Sequence, residues 1–249
     1  MSTKPVMALS HSRLADFNQC PLKFKYKYID KNKAFLIDDN AKSPHLVRGQ
    51  NVHKALENYV IKVNAGQEAI PPSSLPEVEN TKPYIDSVFK TYQQVMPEQQ
   101  ISVDVNYKQV DWFAKDSYYR AILDLIAINP TVARIDDYKT GKLTDYTPEN
   151  GYGQLHLSAC IGMSVLENVE KIITSYIYVD HRQIVPVTFT RAQLPDLQRH
   201  FNEESEKVNS EVNFDPTPNK FCNFCEATKA QCPYSKKMDT TQLVFKPKA

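Results

Sequence analysis

A chain of 249 residues with 41% hydrophobic and 24% charged residues holds enough apolar material for a core and is far from a disordered composition. Its formal net charge of +1 excludes a histone-like, globally basic nucleic-acid binder, while leaving room for a local basic groove. No apolar run reaches the roughly 18 residues of a membrane span, and Met1 to Leu9 lacks the apolar core of a secretory signal, so export is not expected. In chain order, Ser10 is placed to cap a first helix carrying Arg13, Leu14 and Phe17 that stops at Cys20-Pro21. A second segment, Pro21 to Lys33, interleaves lysines with aromatics. Val52, Leu56, Tyr59, Val60 and Val63 recur at helical spacing and predict a helix from Val47 to Val63. Residues 66 to 83 carry five prolines and glycines in addition to serines, a pattern expected of an exposed loop, and a helix is expected from Tyr84 to Val95.

The middle of the chain is strand-like. Ile101 to Phe113 predicts one strand or a hairpin, and Ser117 to Ile128 and Val132 to Lys139 predict two strands around Asn129-Pro130-Thr131. Tyr152 to Glu167 predicts a helix, Ile172 to Val179 and Ile184 to Phe189 a further strand pair, and Thr190 caps a last helix to about Val212. The order points to an α/β fold with a central mixed sheet.

Two carboxylates break the apolar pattern. Ala121 to Ile128 is apolar on both faces apart from Asp124, which reads as a strand buried on both sides. An unpaired carboxylate there would cost several kcal/mol or take up a proton, so a positive partner is expected beside it. In the next strand the period of two puts Asp137 and Lys139 on one face. If Pro130-Thr131 form a two-residue turn, Asp124 faces Asp137 with Cβ atoms roughly 5 Å apart. Like charges so placed repel unless a cation bridges them, and a hard ion such as Mg²⁺ or Mn²⁺ suits carboxylate and water oxygens. An ordinary Asp–Lys ion pair on a half-exposed sheet is the plain alternative. His53, with Glu57 one turn later, is a third candidate ligand. There is no G-x-S-x-G elbow and no H-E-x-x-H, and Gly141-Lys142-Leu143-Thr144 lacks the earlier glycine of a P-loop.

These residues resemble the RecB-like branch of the PD-(D/E)XK nuclease superfamily. Ser12-Arg13-Leu14 leading to Cys20-Pro21 is similar to its opening segment, Arg48-Gly49-Gln50-Asn51-Val52-His53 to its histidine motif, and Asp124-Leu125-Ile126 to its first acidic motif. Asp137-Tyr138-Lys139-Thr140-Gly141-Lys142 resembles the D-x-K motif, and Gln154 opens a helix similar to Q-x-x-x-Y, with Ser158 where the tyrosine would stand. The resemblance implies a restriction-endonuclease-like core: a mixed β-sheet flanked by helices. It implies that His53, Asp124, Asp137 and the Tyr138 backbone carbonyl bind Mg²⁺ or Mn²⁺, that Lys139 holds the attacking water, and that Gln154 positions the strand or Lys139. The implied activity is a metal-dependent DNA exonuclease acting on single-stranded DNA ends. Its setting would be recombination, repair or processing in a bacterial, archaeal or phage-infected cytoplasm, with a helicase or recombination protein as a possible partner and no membrane. A catalytically silent DNA-binding or assembly subunit is the alternative.

Five cysteines are present, an odd count that argues against a disulfide framework. Cys222, Cys225 and Cys232 crowd near the C-terminus, and with Cys20 they supply the four thiolates of a [4Fe–4S] cluster or a structural Zn²⁺. The resemblance, to a subset that includes CRISPR-adaptation exonucleases, favours iron–sulfur. It implies one nuclease domain over 1–249 in which Cys20 and residues 220–235 form an iron–sulfur subdomain stapling first helix to tail. Cys160, in an apolar helix, reads as a small core residue. Lys23, Lys25 and Lys27 among aromatics are candidates for tracking a DNA strand, against an amphipathic helix with its lysines in water. Arg48, Arg120 and Lys142 are further phosphate-contact candidates.

Overall fold

The computed structural model describes residues 7–35, 43–143 and 152–236. They fall into two compact units. The larger comprises residues 7–11 and 43–205, the smaller 12–35 and 206–236.

In the larger unit, helix α3 spans Pro44–Asn64. Its start follows from the sequence: Ser43 caps it through Oγ, which accepts from the Leu46 amide at 3.3 Å, and Pro44 needs no amide partner in the first turn. Val52, Leu56, Tyr59 and Val60 form its buried face, as their spacing predicts. Helix α4 covers Pro76–Thr91, which corrects two expectations. The proline-rich loop ends at Leu75, not Pro83, and Val95 belongs to a strand. Pro83 sits on the exposed side of α4, where a carbonyl deprived of its helical donor is within reach of solvent. Burial of Val78, Ile85 and Val88 outweighs the local penalty.

Six strands form one sheet in the order β2-β1-β3-β4-β5-β6. They are β1 (Gln94–Val103), β2 (Gln109–Val110), β3 (Tyr119–Ile128), β4 (Val132–Lys139), β5 (Lys171–Tyr178) and β6 (Gln183–Thr190). All neighbours are antiparallel except β4 and β5, which are parallel and joined through helix α5 (Gln154–Val165). The expected mixed sheet flanked by helices is therefore present. The Asn129 amide donates to the Val132 carbonyl at 2.8 Å, closing the two-residue turn at Pro130-Thr131 and setting Leu125 opposite Asp136. Helix α6 (Leu194–Ser210) follows a short 3₁₀ turn at Arg191–Gln193.

The core of this unit packs Val52, Leu56, Ile85 and Val88 against Leu125, Ala127, Tyr138 and Ile177. On the other face of the sheet α5 approaches so closely that a Cβ on Gly162 would lie 2.6 Å from Ile135 Cδ1. β3 is not buried throughout, as its composition suggested, since Ile122 is 49% exposed. Fully buried Asp136 is instead the costly acid of this sheet. Burial pushes its carboxyl above the usual range, opposed by the Arg134 guanidinium 3.0 Å away, with Tyr84 also donating to it. Asp136→Ala would leave that guanidinium buried without its anion, and a loss of about 3–5 kcal/mol is expected in thermal or denaturant unfolding.

The smaller unit holds most of α1 (His11–Gln19), α2 (Pro21–Phe24) running into a wider turn at Lys25–Ile29, and a 3₁₀ turn at Lys220–Phe224. Phe17 packs edge-on against Phe24 (5.4 Å between ring centres), and Phe24 against Tyr28. Its two chain segments are tied directly: Asn219 Nδ2 donates to the Gln19 carbonyl at 3.0 Å and the Tyr26 hydroxyl to the Gln231 carbonyl at 3.0 Å. Among the described residues no helix is long and apolar enough to cross a membrane.

Candidate active site

The hairpin register brings Asp124 and Asp137 to the same rung, but that rung does not form. The β3–β4 ladder ends at Leu125 and Asp136. Further along, β3 takes another partner: Leu9 donates to the Tyr118 carbonyl and accepts from the Arg120 amide, both at 2.8 Å. Asp124 lies at the fork so created, where its Oδ2 accepts from the Tyr138 amide at 2.8 Å. Its Oδ1 lies 3.2 Å from Nδ1 of His53, which α3 presents edge-on to the Tyr138 ring. The partner the structure supplies for Asp124 is thus the His53 imidazole. Burial lowers the imidazole pKa, but the hydrogen bond and charge of Asp124, aided by Asp137, outweigh it and raise the pKa above the ordinary value.

Asp137 is more enclosed. Burial pushes its carboxyl up to about 6; Lys139 pulls it down and the Asp124 charge pushes it further up. Lys139 Nζ stands 2.6 Å from Asp137 Oδ2, but not in hydrogen-bonding geometry, so this buried oxygen has no hydrogen-bond partner. Gln154, at the first position of α5, joins the two: Nε2 donates to Asp137 Oδ1, while Oε1 accepts from Lys139 Nζ at 2.8 Å. The ammonium also rests over the Tyr176 ring, 4.7 Å from its centre. Ser158, one turn along α5, is buried.

Among the described residues no three His, Cys, Asp or Glu side chains converge on a metal position. The donors gathered at the fork nonetheless suit a hard divalent ion in kind: two carboxylates, an imidazole and a buried carboxylate oxygen lacking a hydrogen bond.

The phosphate-contact candidates fare differently. Arg48 is committed to protein carboxylates: Nε donates to Glu77 Oε1 at 2.9 Å and Nη1 to Asp180 Oδ2 at 3.2 Å. Asp180 also accepts from the Gly141 amide at 2.7 Å, and His181 contacts the Gly141 carbonyl. Gly141 has a φ of +113°, a conformation that favours glycine, so this clamp holds the segment after Lys139 in a shape the sequence permits. Arg120 is held by Ser117 Oγ at 3.0 Å, and Lys142 lies on an exposed turn. Lys23 and Lys27 both pair with Asp16 (2.9 and 2.7 Å), and Lys25 with Asp30 at 2.6 Å. The three candidate lysines are therefore ion-paired, but to two acids only, so the segment keeps a net positive charge. Glu77, Asp180 and Tyr176 escaped the sequence reading because nothing local marks them. His11 escaped too; burial and the nearby Lys139 charge lower its pKa.

In the smaller unit Cys20, Cys222, Cys225 and Cys232 are all unbridged and line one cavity of about 290 Å³. The Asn219 amide donates to Cys222 Sγ at 3.3 Å. Cys160 is fully buried in α5, the core residue expected.

The site is thus an α/β sheet whose two central strands part beside two acids, with a lysine two residues beyond the second. A model of the PD-(D/E)XK nuclease superfamily matches residues 8–233, and the chain belongs to that superfamily. Membership indicates nuclease activity, a nucleic-acid substrate and a divalent metal as the usual cofactor. No curated protein matches the chain. Among solved structures, the crystal structure of SSO0001 shares 16% identity over 90% of this chain and 86% of that one, with a TM-score of 0.45, too loose a likeness to carry function.

Proposed function

We propose that this protein is a metal-dependent deoxyribonuclease that hydrolyses phosphodiester bonds from single-stranded DNA ends. The observation that carries the reading is the Gln154 bridge, which holds the Lys139 ammonium against Asp137 beside the Asp124–His53 pair. An ordinary surface ion pair needs no such support from a third element. His53, Asp124, Asp137 and the Tyr138 carbonyl would hold Mg²⁺ or Mn²⁺. Such an ion supplies Lewis acidity to a phosphoryl oxygen and lowers the pKa of water. Lys139 orients the attacking water and offsets charge growing on the phosphate, while Gln154 and the Tyr176 face limit its rotamers. The buried Tyr138 and the β3–β4 fork keep both acids partly desolvated, which strengthens each of these interactions.

Cleavage of end-labelled single-stranded and duplex DNA with Mg²⁺ or Mn²⁺ tests the reading. Release of mononucleotides or short products from single strands, abolished by chelator and by Asp124→Ala, is expected. DNA binding without metal-dependent cleavage would leave the silent assembly subunit as the better account.

The four cysteines are proposed as ligands of a [4Fe–4S] cluster. Supporting the four as one ligand set, all of them line the same cavity of the smaller unit; the preference for iron–sulfur over a tetrahedral Zn²⁺, which the same four thiolates would also suit, rests on the family resemblance. The amide donated to Cys222 Sγ is of the kind that tunes cluster sulfurs. Anaerobically purified protein is expected to be brown and to contain iron, and Cys225→Ser to lose both properties. Zinc in colourless protein would overturn the assignment.

A further inference from the structure

The face of β3 that carries Asp124 continues past the fork. With side chains alternating along the strand, Asp124, Ile122 and Arg120 share one face. Ile122 is half exposed in mid-strand. Four residues from Asp124, about 13 Å along the strand, Arg120 carries an organised surface feature. Its Nε donates to Ser117 Oγ, which is itself bonded at 2.7 Å to buried Ser102 Oγ. So anchored, the guanidinium lies over Trp112 (5.3 Å) and Phe113 (5.9 Å), and Phe113 is 86% exposed.

A large aromatic side chain left in water at this level has no role in the core, and the buried serine pair underneath fixes the cation that laminates it. The exposed Phe113 ring, with the part-buried Trp112 beside it and a fixed cation against both, suits nucleobases, which stack without regard to sequence. A duplex presents its bases already stacked on one another, so such a platform selects unpaired bases. The geometry points to Trp112, Phe113 and Arg120 as a base-stacking platform that holds a single strand a few nucleotides from the scissile phosphate. This deepens the nuclease reading and rests on it for the strand's path along β3.

Trp112 is the single tryptophan of the chain, so its emission reports the platform directly. The test is an oligo-dT titration of metal-free protein in chelator, where no cleavage is needed. Quenching of Trp112 is expected, with affinity about tenfold weaker for Phe113→Ala, recovery in Phe113→Tyr, and little quenching by an abasic strand with the same number of phosphates. Equal quenching by the abasic strand, or unchanged affinity in Phe113→Ala, would overturn the platform. So would a Phe113→Ala change confined to oligomeric state, which would mark a protein interface instead. Because binding is read without turnover, cleavage by a protein showing no quenching removes only the platform. Quenching by a protein that never cleaves removes only the nuclease reading.

Discussion

Lys139→Ala is expected to lower kcat for DNA cleavage by about 10³-fold while leaving DNA affinity within a fewfold of wild type. The ammonium is held by two polar partners and an aromatic face, Asp137 Oδ2 at 2.6 Å, Gln154 Oε1 at 2.8 Å and the Tyr176 ring, so it is already positioned before substrate arrives. A group organised in advance contributes mainly where charge develops, in the transition state, and little to ground-state binding. Gln154→Ala should show the same signature on a smaller scale, because the ammonium keeps Asp137 and Tyr176 but loses one restraint. Single-turnover rates with excess enzyme, set beside equilibrium binding in chelator, separate the two terms. A Lys139→Ala enzyme that binds DNA poorly but cleaves normally once saturated would show that Lys139 is a phosphate anchor.

Asp137→Asn is expected to abolish cleavage and, in metal-free protein at pH 8, to raise the melting temperature. The sign follows from the carboxyl pKa, pushed up to about 6 in the folded protein from about 3.9 in the unfolded chain. Between those values the folded state holds a proton that the unfolded state has released, so this group makes stability fall as pH rises from about 4 to 6. Above pH 6 the full penalty of a buried charge persists, at most about 3 kcal/mol. The amide removes it, and Lys139, 35% exposed, finds water in place of its counter-ion. With part of that penalty recovered, a rise of about 2–6 °C is expected, vanishing below about pH 4. Mg²⁺ should raise the wild-type melting temperature and leave Asp137→Asn unmoved. A variant less stable than wild type at pH 8 would instead make Asp137 a structural partner of Lys139.

That Asp124, Asp137 and Lys139 lie near one another was legible because their placement is written locally. Period-two alternation and one short turn suffice to set Asp124 toward Asp137 and Lys139, and the spacing of α3 places His53. The fork itself was not legible, since it depends on Leu9 pairing with β3 more than a hundred residues away. The same distance hid the partners of Arg48: a guanidinium near an active site reads as a phosphate ligand until Glu77 and Asp180 are seen to occupy it. In α4 the local signal pointed the wrong way. Proline punctuation ruled out a helix that burial of Val78 and Ile85 nonetheless enforces. The buried Arg134–Asp136–Tyr84 group passed unnoticed because its neighbour Asp137 offered the more conspicuous acid.

The smaller unit is assembled from two stretches, 12–35 and 206–236, joined by hydrogen bonds from Asn219 to Gln19 and from Tyr26 to Gln231. Neither stretch completes it alone. Trimming the chain at one end therefore orphans folded partners at the other: a fragment beginning after residue 35 would leave Asn219 and the Gln231 carbonyl without their partners and the three late thiols without Cys20 on the cavity they share. Shortened forms of this protein should be cut inside neither stretch.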